Sequence, residues 1–86
     1  MIDPNKTTLL IIDDEEKLLF GLKMVLTREG YNVITAKSGE EGLQKAQLNA
    51  PDLIIRDVMM PPPNGFMLKK ILMQDAELQY VPFILS

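Results

Sequence analysis

Two apolar runs in this chain end abruptly on acids. Leu9-Leu10-Ile11-Ile12 gives way to Asp13-Asp14, and Leu53-Ile54-Ile55-Arg56 gives way to Asp57. Short apolar runs bounded by polar residues read as strands buried on both faces. In an open parallel sheet, ligands bind at the carboxyl ends of the strands. If these two strands are neighbours, three carboxylates meet in one crevice. Their mutual repulsion is relieved when a cation sits among them. Oxygen-only donors suit Mg²⁺, which is commonly held by one or two carboxylates, waters and a phosphate. Each acid also has a plainer reading. Asp14 suits a helix cap, and Asp57, followed by a loop, suits a turn. The pairing of both sites at matching strand ends favours the cation.

Several chemistries are excluded. The chain has no Cys and no His, so thiolate nucleophiles, disulfides and imidazole bases are all missing. Nine basic against twelve acidic residues give a net charge of −3, and the pair Lys69-Lys70 is the longest basic run. Nucleic-acid backbones call for clustered cations, so direct nucleic-acid binding is not expected. The opening Met1-Ile2-Asp3-Pro4-Asn5-Lys6 lacks the basic-then-apolar order of a signal peptide, and Leu9–Ile12 is far too short for a membrane span. A cytoplasmic chain without membrane partners is the expectation.

The elements that must position the acids follow from periodicity. After Asp14, Leu18, Leu22, Val25 and Leu26 recur at helical spacing, with Asp14 as cap and Gly30 as stop. Tyr31 to Ala36 reads as a second strand. Ser38-Gly39-Glu40-Glu41 has the form of a capping box, which accounts for that acidic pair and starts a helix running to Ala50-Pro51. Asp52 to Asp57 is a third strand, and Pro61-Pro62-Pro63-Asn64-Gly65 is a loop. Phe66 to about Asp75 returns to helical spacing, and Val81 to Ser86 is a fourth strand. Met59, Met60, Met67 and Met73 read as gap-filling residues. Alternating strands and helices predict a doubly wound parallel sheet with helices on both faces.

Taken in order, these residues resemble the receiver domains of two-component response regulators. The resemblance is carried by Leu9–Glu15, by Glu29–Val33, by Ala36–Leu43, and by Pro51–Pro61 with Gly65 beyond it. It implies the flavodoxin-like receiver fold over residues 1–86, with 1–6 as an N-terminal extension. It also implies an incomplete fold, with four strands and three helices but not the last strand and two helices. By resemblance, Asp57 accepts a phosphoryl group from a histidine kinase or phosphotransfer protein. Asp14, Asp57 and the Met59 backbone carbonyl would ligate Mg²⁺, and Asp13 would act largely through water. Ser86 resembles the switch hydroxyl, although it falls one residue early after Pro82. Pro62 and Pro63 depart from the family's Gly and apolar residue, and the lysine of the fifth strand has no counterpart. The resemblance implies a phosphoacceptor rather than an enzyme, and the exposed fourth strand implies self-association. Two other readings stay open: a degenerate receiver-like module that only binds a partner, and a Mg²⁺-dependent aspartyl phosphatase. The latter lacks the Asp-x-Asp spacing its nucleophile requires.

Overall fold

The computed structural model describes residues 3–56, 70, 74 and 81–85. Within them, β1 (Thr8–Ile12), α1 (Glu16–Arg28), β2 (Asn32–Ala36), α2 (Gly39–Asn49), β3 (Leu53–Arg56) and β4 (Phe83–Leu85) follow one another along the chain. The four strands form one sheet in the order β2-β1-β3-β4, and every pairing is parallel. The expected doubly wound sheet is therefore present. The expected third helix, over 66–75, lies outside the described residues except at Lys70 and Gln74.

β1 is central and buried on both faces, as its unbroken apolar run requires. Leu10 and Ile12 point to one face and join Ala36, Ala46 and Ile54 in a core closed by Ile34, Leu43 and Val81. Leu9 and Ile11 point the other way, where Leu19 of α1 is buried. The sheet is thus sandwiched between α2 and α1. Register is pinned at the start of β3. Asp52 N–H donates to Thr8 O at 2.8 Å, and Thr8 N–H donates to Asp52 Oδ2 at 2.7 Å.

The helix ends follow local chemistry. Ser38 Oγ accepts from Glu41 N–H at 3.1 Å and caps α2, as its sequence predicts. The reciprocal half of the capping box does not form. Glu41 instead pairs with Lys45 at 3.0 Å, and Lys45 also donates to Thr35 O at 2.6 Å, tying α2 to β2. α1 closes with the double hydrogen bond of a Schellman motif. Gly30 N–H donates to Thr27 O and Tyr31 N–H to Leu26 O, with Gly30 at φ 98°. Ahead of β1, Pro4–Lys6 makes one 3₁₀ turn, and Asn32 Nδ2 donates to Asn5 O at 3.2 Å.

α2 lies close on β1 because Gly42 has no side chain. A Cβ there would collide with Ile12 Cδ1 and stand 2.8 Å from Ile12 Cγ1, whereas a Cβ on Gly21 of α1 would meet nothing within 4 Å. Gly42→Val is expected to lower the unfolding free energy by about 1–3 kcal/mol through overpacking. Gly21→Ala is expected to raise it by about 0.5–1 kcal/mol through helix propensity. Urea denaturation of both variants checks this, and changes of the same sign would contradict it.

Candidate acidic site

The chain leaves β1 at Ile12 and turns sharply into α1. Asp13 N–H still pairs with Ala36 O at 3.0 Å, so Asp13 continues the β1–β2 ladder by one residue. Its side chain is buried, at 7% exposure, and its Oδ1 accepts from Glu15 N–H at 2.9 Å. Asp14, one residue on, is exposed. Here the structure corrects the sequence reading. Asp14 makes no cap, Glu15 occupies the N-cap position without a side-chain cap bond, and Asp13 turns back to hold the turn. The error has a local cause. Both acids precede the helix, and only the backbone path after β1 decides which one faces the Glu15 amide.

Glu16 sits in the first turn of α1 and pairs with Lys37, just past the end of β2, at 2.6 Å. The hydrogen bond and charge of Lys37 hold the Glu16 carboxyl below its ordinary 4.5, and Glu16 in return holds the Lys37 ammonium above its ordinary 10.5. The pair's contribution is present above the usual carboxylate range and below the usual ammonium range, and it fades as Glu16 protonates or Lys37 deprotonates. Both side chains are well exposed, so salt screens this contact. It nonetheless joins the β1–α1 and β2–α2 connections beside the acids. Sequence reading gave no signal for it, because the partners are far apart along the chain.

β1 and β3 are adjacent, with Ile12 opposite Arg56. The carboxyl ends of the two strands are therefore level, and Asp13 follows directly on β1. Asp57, Met59 and Ser86 themselves lie outside the described residues. Among the described residues no group of three or more acidic, His or Cys side chains is gathered closely enough to hold a metal ion. What is present fits a hard cation in kind. Asp13 and Asp14 are oxygen donors, one oxygen of Asp13 and both of Asp14 take no hydrogen bond among the described residues, and the chain has no Cys to compete as a thiolate ligand. A cavity of about 720 Å³ lies elsewhere. It runs along the α1 side of the sheet toward the amino ends of the strands, lined by Leu9, Leu26, Tyr31, Leu53 and Ile55, and includes neither acid. That cavity's wall is mostly apolar.

An open parallel sheet with helices on both faces and a tight turn at the carboxyl end of its central strand places the chain among the doubly wound α/β proteins. Residues 9–85 match the family described as the response regulator receiver domain, and the chain belongs to that family. It is a receiver domain of two-component signalling. It is 48% identical over 66 residues to the alkaline phosphatase synthesis transcriptional regulatory protein PhoP of Bacillus subtilis, covering 77% of this chain and 28% of that protein. It is 34% identical over 77 residues to protein PilH of Pseudomonas aeruginosa, covering 90% of this chain and 64% of PilH. Among solved structures, chemotaxis protein CheY4 of Vibrio cholerae superimposes with a TM-score of 0.87 at 33% identity, over 92% of this chain and 66% of that one. The N-terminal domain of a response regulator receiver protein from Methanoculleus marisnigri gives 0.86 at 32% identity, over 93% and 65%. The chain thus spans just under two thirds of the solved receivers it matches. No helix among the described residues is long and apolar enough to cross a membrane.

Proposed function

We propose that this chain accepts a phosphoryl group on Asp57, with a Mg²⁺ ion held by Asp13, Asp14, Asp57 and the Met59 backbone carbonyl. The observation that carries the reading is the parallel β1–β3 pairing, which brings a buried Asp13 to the end of the sheet from which Asp57 follows. Family membership supports it, because receiver domains are phosphoacceptors rather than enzymes and generally bind Mg²⁺ at an acidic pocket. The donor is a histidine kinase or a phosphotransfer protein. A carboxylate oxygen of Asp57 forms the new O–P bond as the N–P bond of a phosphohistidine breaks. The bound ion supplies charge neutralisation on the phosphoryl oxygens. Asp13, fixed by the Glu15 amide, presents its other oxygen in a constant place, which spares reorganisation. An open acidic turn suits a donor that is itself the side chain of a protein, since such a donor must approach over a surface. Ser86 is the proposed switch hydroxyl, and the cytoplasm is the proposed compartment.

Self-association through β4 belongs to the same proposal. β4 lies at one edge of the described sheet, and its Ile84 is 48% exposed. Open strand edges with apolar side chains template pairing with another chain.

Two measurements test these readings. Intact-mass analysis after treatment with acetyl phosphate and MgCl₂ is expected to show one phosphoryl adduct, absent in Asp57→Asn and absent when the ion is chelated. Folded protein with no adduct would favour the partner-binding module, and turnover of a small phosphoester would favour the phosphatase. Light scattering at tens of micromolar is expected to give a dimer mass, and a monomer would sink the pairing through β4.

A further inference from the structure

β2 is an outer strand of the described sheet, with β1 as its one neighbour there. Asn32 N–H donates to Thr7 O and Ala36 O accepts from Asp13 N–H, both at 3.0 Å, so the backbones of Asn32, Ile34 and Ala36 turn toward β1. Alternate residues of a strand present their N–H and C=O to opposite sides, so those of Val33 and Thr35 turn outward. Both residues are half-buried. Their backbone groups are the ones a further strand would pair with. One of these groups is already taken. Lys45 reaches from α2 around the edge and donates through Nζ to Thr35 O at 2.6 Å. Glu41, one turn earlier on the same helix, holds that ammonium at 3.0 Å. The packing of α2 does not require the contact, since it rests on Leu43, Ala46 and the close approach of Gly42 to Ile12. The other outer strand, β4, consists of Phe83, Ile84 and Leu85 and carries no charged residue.

We propose that Lys45 guards the β2 edge against pairing with a second copy of this chain. The ammonium fills the Thr35 acceptor with a charge-assisted hydrogen bond, stronger than the neutral ladder bond an incoming strand would offer. That strand would also have to enclose or displace a charge, which is costly. Lysine side chains at strand edges oppose pairing in this way. The consequence lies in how copies assemble. All strands are parallel, so β4 of one copy set against β2 of the next would continue the sheet head to tail and would not close. Closing β2 leaves β4 alone to pair, and one open edge stops at two copies. The use of β4 rests on the self-association proposed above, and the guarding of β2 does not.

Sedimentation velocity of the full chain at rising concentration compares the wild type with Lys45→Met and Lys45→Arg. Methionine is as good a helix former as lysine and the position is partly exposed, so α2 tolerates the change. Lys45→Met is expected to pass beyond the wild-type assembly to species at least about twice its mass. Lys45→Arg keeps a charged donor and is expected to match the wild type. Val33→Pro in the Lys45→Met background removes an outward N–H without touching the β1 ladder, and is expected to return the mass to that of the wild type. A Lys45→Met mass equal to that of the wild type would overturn the guard, whether the wild type is a dimer or a monomer. A monomeric wild type sinks the pairing through β4, and the guard then stands if Lys45→Met still associates. Larger species that persist with Val33→Pro would place the association away from β2 and overturn the guard as well. Should the proline variant fail to fold, amide hydrogen exchange of Lys45→Met decides. Protection of the Val33 and Thr35 N–H groups gained on association supports the guard, and its absence overturns it.

Discussion

The parallel pairing of β1 with β3, with Ile12 opposite Arg56, sets the carboxyl end of this sheet. It brings the two strands level there, so Ile12 and Arg56 close the sheet side by side. The pairing is itself held from below. The two hydrogen bonds between Thr8 and Asp52 set where β3 starts against β1, and a slip of one residue would exchange the faces of Ile54 and Ile55. The core and the acid turn therefore depend on the same register.

Charge sets the second constraint. A sheet with Leu10, Ile11, Ile12 and Ile54 nearly sealed from water is a poor medium for ions, yet Asp13 and Arg56 are enclosed beside it. Asp13 is stabilised in part by the Glu15 amide at the start of α1, where free N–H groups favour an anion. Around this end of the sheet, the Glu16–Lys37 pair holds the neighbouring connections together. Hydrogen bonding, helix polarity and opposite charge thus act on one turn.

Much of this was legible in the sequence, and the failures have physical reasons. The apolar run Leu9–Ile12, the Ser38 cap and the Gly30 stop are local signals, and each produced the element expected of it. The choice between Asp13 and Asp14 as the turn's hydrogen-bond acceptor is also local, but it depends on a backbone path that residue types do not specify. Lys37 finding Glu16 and Arg56 being enclosed are long-range outcomes, set by which strands and helices become neighbours. Asp13 and Asp14 were singled out from type and spacing, and of the two it is Asp13 that the structure buries at the end of β1.

The proposed function requires the β1–α1 turn to hold a cation at the carboxyl end of the sheet. Titration of ¹⁵N-labelled protein with MgCl₂, followed by amide chemical shifts at constant ionic strength, tests it directly. The account predicts saturable shifts largest at Asp13, Asp14 and Glu15 and lost in Asp13→Asn. Shifts that fail to saturate, or that centre on Thr8, Asn32 and Asp52 at the opposite end of the strands, would contradict it.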